Sequence, residues 1–221
     1  MTEVTTQEPA LGLRERKKEH TRQLIAETAR RLFARRGFEH VTVAEIARVA
    51  EVSEQTVFNY FPTKEDLVYW RLGDFEEELL ATVRQREPGE SALAAFRRFV
   101  LAQRGLLGRV DDAARQQLTA ITQVITESPA LLVREQQILA GYTALLARLL
   151  AEEQGSGAND IEPWVAAHAM MGIHRSLIAY TRRRILEGAP HPRLSRDVRA
   201  RAERAFTLLE HGLGDYATKH K

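Results

Sequence analysis

Eight consecutive residues, Ser53-Glu54-Gln55-Thr56-Val57-Phe58-Asn59-Tyr60, concentrate the side chains best suited to reading another molecule. Ser53, Gln55, Thr56 and Asn59 are short or planar hydrogen-bonding groups, and Tyr60 adds a phenol. A side-chain amide offers one donor and one acceptor side by side, which matches the major-groove edge of adenine, while hydroxyls suit phosphate oxygens. Asn59 and Gln55 are each of the type that pairs bidentately with adenine. Competing chemistries are poorly represented. The chain has no cysteine, which removes disulfides, thiolate metal sites and a cysteine nucleophile. It has no H-E-x-x-H, no phosphate-cradling glycine loop and no nucleophile motif, so an all-α enzyme is the weakest reading. His168 and His174 lie six apart, on different faces of a helix; no shared metal and no cofactor is expected.

A second feature points the same way. From Arg14 to Arg36 there are nine basic residues (Arg14, Arg16, Lys17, Lys18, Arg22, Arg30, Arg31, Arg35, Arg36) against three acids (Glu15, Glu19, Glu27), a local net of +6 on a chain whose total is only +2. Such a run is often just a solvated helix face. It also suits a surface facing phosphates, where Lys and Arg displace condensed counterions.

These groups need a scaffold, and the pattern around them supplies one. Leu24, Ile25, Ala29, Leu32 and Phe33 recur at helical spacing, predicting a helix over Arg14–Arg36 that Gly37 closes in a left-handed cap. Thr42 and Glu45 form a Thr-x-x-Glu capping box that starts a helix at Val43, and Ser53 opens another after a short break. Helices over 43–50 and 53–60 are about two turns each, too short to persist unpacked. Ile46, Ala47 and Ala50 form the inner face of the first, Val52 plugs the turn, and Val57 and Phe61 face back from the second. Ala47 is small where two steeply crossed helices must approach. That is a helix-turn-helix, whose second helix carries the polar edge into the major groove.

Further along, Thr63-Lys64-Glu65-Asp66 opens a helix expected to reach Arg86, where Glu87–Glu90 breaks the pattern. Later helices fall at about Ser91–Arg109, Asp112–Glu127, Pro129–Glu153, Ile161–Leu186 and Ser195–Ala217, separated by turn chemistry at Ser128–Pro129, Gly155–Asp160 and Glu187–Leu194. The predicted class is all-α, about nine helices in 221 residues. Residues 1–13 are expected to be a disordered tail, 14–62 the helix-turn-helix domain, and 63–221 a second helical domain. At 44% hydrophobic and 28% charged residues the composition is that of a globular protein. No secretory h-region opens the chain, and the apolar run Trp164–Tyr180 is too short for a membrane span and interrupted by His168, His174 and Arg175. A cytoplasmic protein with no membrane partner is expected.

Leu24-Ile25, Ala29, Leu32-Phe33, Gly37, Thr42, Ile46-Ala47, Val52-Ser53, Thr56, Tyr60-Phe61 and Lys64-Glu65-x-Leu67 together resemble the N-terminal signature of the TetR family of bacterial transcriptional regulators, over about Thr21–Val68. The resemblance implies a three-helix DNA-binding domain followed by a ligand-binding and dimerisation domain. It implies that Thr42 binds phosphate, that Ser53, Gln55, Thr56 and Asn59 face the groove with Tyr60 against the backbone, and that Lys64 meets a phosphate. Arg16, Lys17 and Lys18 join them as the basic start of the first helix. One position departs from the family pattern: Glu51 stands in the turn where glycine is usual. A left-handed backbone there would cost a non-glycine residue roughly 1–2 kcal/mol.

In the second domain, Val198, Ala202, Ala205, Phe206, Leu209, Leu213 and Tyr216 step by threes and fours along one face, and the helix of 161–186 is apolar around most of its circumference. Both argue for an oligomer, and the resemblance implies a four-helix homodimer interface, through 161–186 and 195–217, placing two reading helices on a near-palindromic operator. Phe96, Phe99, Gln123, Tyr142, Trp164, His168 and Met171 mix apolar bulk with polar handles and are the candidates for an effector pocket. Arg182–Arg184, near a helix C-terminus, reads as solvated surface. The expected function is a repressor that binds double-stranded operator DNA and is released by a small-molecule effector. The alternative keeps the helix-turn-helix and replaces the small ligand by a protein partner.

Overall fold

The structure, a computed structural model, describes residues 12–102, 112–157, 159–213 and 218. The tail expected at 1–13 therefore lies outside the described residues except for Gly12 and Leu13, which already cap and open the first helix. The ends expected at Arg109 and Ala217 lie outside them too. Among the described residues there are nine α-helices, one 3-10 turn and an isolated bridge between Ser91 and Thr218, an all-α architecture. The chain divides into two compact units, Met1–Trp70 and Arg71–Lys221.

In the first unit, α1 (Leu13–Arg36) packs against α2 (Val43–Val49) and the 3-10 turn Glu65–Leu67, and α2 packs against α3 (Glu54–Tyr60). Seven-residue helices do not persist alone. What holds them is a buried set from every element: Ile25, Ala29 and Phe33 of α1, Ile46 and Ala47 of α2, Val57 of α3, and Phe38, Val41, Phe61 and Leu67 from the connections. Phe33 and Phe38 meet at 5.1 Å between ring centroids. Thr42 and Ser53 cap α2 and α3, their hydroxyls accepting from the Glu45 and Thr56 amides at 3.2 and 3.0 Å. The expected capping box at Thr42 forms in this one direction; the Glu45 carboxylate instead pairs with Arg36 and so ties α1 to α2.

Two turns show how the backbone is bent. Gly37 has φ 79 and ψ 162, outside the left-handed helical well expected of it, and its amide donates to the Phe33 carbonyl at 2.8 Å. Glu51 does have positive φ, 56°. The Val52 amide donates to the Ala47 carbonyl and the Glu51 amide to that of Arg48. This is the paired closure that lets one left-handed residue end a helix.

The helix expected from Thr63 to Arg86 is in fact two pieces. Thr63 and Asp66 exchange side-chain and backbone hydrogen bonds around a single turn, Glu65–Leu67. The Trp70 carbonyl, which a continuous helix would pair with an amide four residues on, is taken by Arg22 at 2.9 Å. α4 then runs Leu72–Arg84. Residues 63–70, expected to begin the second domain, thus lie with the first unit.

The second unit holds α4, α5 (Ala92–Ala102), α6 (Asp112–Glu127), α7 (Pro129–Gln154), α8 (Glu162–Leu186) and α9 (His191–Leu213). α8 is central, packed against α7 and α9 and touching α5 and α6. α9 starts four residues earlier than expected: Pro192 falls in its first turn, where a missing amide hydrogen costs nothing. The core is Leu79, Val83, Phe96, Phe99, Leu146, Leu150, Met170, Met171 and Phe206 with their neighbours. Two arginines are built into this unit. Arg86, buried, donates to the Val83 and Glu90 carbonyls and pairs with Glu153. Arg182, read above as solvated, holds Glu135 with two hydrogen bonds of 3.1 and 2.6 Å.

Candidate nucleic-acid interface

α3 owes its orientation to Val57, the one α3 residue that is buried, with Phe61 just beyond its end. With Val57 inward, Ser53, Glu54, Gln55, Phe58 and Asn59 are exposed and Thr56 and Tyr60 half-buried. The polar edge read from the sequence therefore faces outward. Its members are paired among themselves. The Ser53 and Thr56 hydroxyls are 2.8 Å apart, and the Gln55 amide nitrogen Nε2 donates to Asn59 Oδ1 at 3.0 Å.

Tyr60 belongs to a different surface. With Arg14, Glu15, Lys17, Lys18 and Thr21 it lines an open groove of about 660 Å³. Arg14, Lys17, Lys18 and Thr21 stand at i, i+3, i+4 and i+7, one face of α1, so three cations and the Glu15 carboxylate line the groove with one phenol. Arg16 lies two residues from Arg14, off that stripe, and is exposed. Thr42, exposed at the start of α2, keeps its hydroxyl proton while its oxygen accepts from Glu45.

Lys64 is placed differently from the other cations. Its ammonium donates to the Phe38 carbonyl at 2.7 Å and lies 4.1 Å from the centre of the Phe38 ring. Burial lowers its pKa, with Glu39 and Glu65 pulling the other way. It braces the α1–α2 connection against the segment that follows α3.

Two residues with a place on this surface escaped the sequence reading. Thr21 completes the α1 stripe that Arg14, already counted in the basic run, begins, and helical spacing from Lys17 and Lys18 was the available signal. Phe58, 44% exposed on α3, is one residue past the inward Val57. An outward aromatic there suits the methyl group of thymine.

The effector candidates do not converge. Phe96, Phe99, Tyr142 and Met171 are buried in the second unit's core. Gln123 is exposed and bonded to Glu127. Trp164 and His168 are exposed on the face of α8 opposite Ala166, Ala167 and Met170. Around Tyr142 an aromatic cluster forms instead: Phe75 stacks on Tyr142 and on His174 and meets Phe99 edge-on, at centroid separations of 5.8, 4.6 and 5.0 Å. Tyr142 donates to the Leu72 carbonyl, and burial pushes its hydroxyl pKa up. Burial pushes His174 down to about 4. Among the described residues no helix is long and apolar enough to cross a membrane.

Comparison with known proteins places these observations in a group. Residues 25–69 match the model described as "Bacterial regulatory proteins, tetR family", and residues 90–213 match that of the MftR C-terminal domain. The chain is 32% identical over 154 residues to the HTH-type transcriptional regulator TcmR of Streptomyces glaucescens, covering 67% of each chain. It is 27% identical over 175 residues to the putative mycofactocin biosynthesis transcriptional regulator MftR of Mycobacterium tuberculosis, covering 75% of this chain and 80% of that one. Among solved structures, NalD of Pseudomonas aeruginosa, the secondary repressor of the MexAB-OprM multidrug efflux pump, superposes with a TM-score of 0.55 at 23% identity, over 86% of this chain and 96% of that one.

Proposed function

The chain belongs to the TetR family of bacterial transcriptional regulators, and on that footing we propose that it is a repressor that binds a near-palindromic operator as a homodimer and leaves it when a small molecule binds the second unit. The observation that carries the DNA reading is the outward edge of α3, held from behind by Val57, Phe61, Ile46 and Ala47. Ser53, Gln55, Thr56 and Asn59 would read bases, Phe58 would meet a thymine methyl, and Thr42, Tyr60, Lys64, Arg16 and the Arg14–Lys17–Lys18 stripe would meet phosphates.

The homodimer reading rests on α8. Ile161, just before α8, and Trp164 and Val165 on it are all more than two-fifths exposed in the single chain and lie three and four residues apart, on one helical face. The expected α9 contribution changes: Val198, Ala202 and Phe206 are buried within their own unit, and among the described side chains of α9 Leu208 is the large apolar one left exposed. Tyr216 lies outside the described residues.

The effector reading rests on the Phe75–Phe99–Tyr142–His174 cluster, where aromatic faces adjoin an imidazole and a phenol. A ligand favouring one arrangement of the dimer would shift the population away from the one matching the operator. Electrophoretic mobility shift with fragments flanking the protein's own gene tests the proposal. A shift weakened by rising salt is expected; no shift with any such fragment at low salt would overturn it.

A further inference from the structure

We propose that Gln55 is a positioning residue that sets how Asn59 presents its amide to a base, so that the two side chains read as one coupled unit. This rests on the reading that α3 enters the major groove. Gln55 and Asn59 are both exposed, four residues apart on α3, and already joined: Gln55 Nε2 donates to Asn59 Oδ1 at 3.0 Å.

The chemistry of that contact restricts Asn59. Its amide is asymmetric, with two donors on Nδ2 and an acceptor at Oδ1. While Oδ1 accepts from Gln55, Nδ2 is turned away, and the order of donor and acceptor along the exposed edge is set. Rotating Asn59 alone would bring its NH2 against the NH2 of Gln55, donor against donor. Only a concerted rotation of both amides reverses the order. A bidentate amide–adenine pair requires the donor opposite N7 and the acceptor opposite N6–H, so the state of Gln55 decides which order Asn59 offers. Oδ1 has a second lone pair, so accepting from Gln55 leaves it able to accept from a base as well.

Charged substitutions at 55 force the two orders separately. A lysine there can only donate and holds Asn59 Oδ1 as in the present geometry. A glutamate can only accept and turns Nδ2 inward. The added charge changes affinity for all sequences alike, so the informative quantity is the ranking of the four bases at one position, compared within each variant.

The test uses the full-length protein and an operator enriched from genomic fragments, with every single base-pair change in one half-site. Asn59→Ala identifies the base pair Asn59 reads, through a loss of discrimination on the order of 10-fold there. Gln55→Met should blunt discrimination at that same pair, Gln55→Lys should restore the wild-type ranking, and Gln55→Glu should change the preferred base. A role confined to helix stability would move the thermal melt and leave the ranking untouched. If Gln55→Met leaves discrimination at the Asn59 pair intact, whatever it does at a pair Gln55 itself reads, or Gln55→Glu leaves the ranking at the Asn59 pair as it was, the coupling is overturned while base reading by α3 stands. If Asn59→Ala changes discrimination nowhere, base reading by this edge falls, and the coupling with it.

Discussion

The Lys64 ammonium donates to the Phe38 carbonyl and sits over the Phe38 ring, so its loss should be felt before any DNA is added. A hydrogen bond from a charged donor and a cation–π contact are together worth roughly 2–4 kcal/mol. Lys64→Ala should lower the urea midpoint accordingly. If its remaining protons also meet a phosphate, the same variant binds all sequences more weakly and its salt slope falls by about 1. An unchanged midpoint would contradict the brace; an unchanged slope would contradict the phosphate contact. His174 makes a pH prediction. As pH falls below 6.5, the unfolded chain takes up a proton that the buried ring, pushed down to about 4, refuses. Stability is therefore complete at neutral pH and declines between 6.5 and about 4, by at most about 3 kcal/mol. Denaturant unfolding at neutral pH and near pH 5 measures the decline. His174→Phe, which keeps the stack on Phe75, should make it shallower; the same decline in that variant would rule His174 out as its source.

At the scale of elements, three helices end by the same device with different residues. α7 and α8 place Gly155 and Gly188 at the left-handed position, with φ of 62 and 74. In each case the next amide reaches back five residues, Ser156 to Ala151 and Ala189 to Arg184. α2 closes identically, from Val52 to Ala47, but carries Glu51. The side chain costs roughly 1–2 kcal/mol in that conformation, less the roughly 0.4–1 kcal/mol that a glycine would add to unfolded-state freedom. Glu51→Gly should therefore raise stability by about 0.5–1 kcal/mol, visible as a higher melting temperature without change in DNA preference. A lower melting temperature would show that the Glu51 side chain contributes more than its backbone costs.

Across the whole molecule, the proposed dimer, with its interface on the exposed apolar side chains of α8, would make two recognition helices act together. Val165→Glu places a charge in the middle of that interface, on a side chain 54% exposed in the single chain, so folding should be unaffected. Sedimentation velocity should show a dimer in the parent and a monomer in the variant. Operator affinity should fall by on the order of 100-fold or more, because the second half-site no longer binds as an intramolecular event. A dimeric Val165→Glu protein would place the interface elsewhere.

Much of this was legible along the chain because it depends on near neighbours. Caps at Thr42 and Ser53, the short break before Ser53, the inward Val57 and the outward polar edge all follow from spacings of three and four residues. The left-handed backbone at Glu51 was raised by the family resemblance, in which glycine is usual at that turn. Periodicity identifies an apolar face without identifying what covers it, which is why the Val198–Phe206 stripe of α9 proved to be its own unit's core. Charge run and helix length carry the same ambiguity. Only the folded chain showed Arg22 taking the Trp70 carbonyl and splitting a helix, Lys64 turned onto Phe38, Arg182 closed on Glu135, and Tyr60 facing the Arg14 stripe. Each is a contact between residues distant in sequence, and a side chain's partner at that range is chosen by packing and desolvation, which no local pattern encodes.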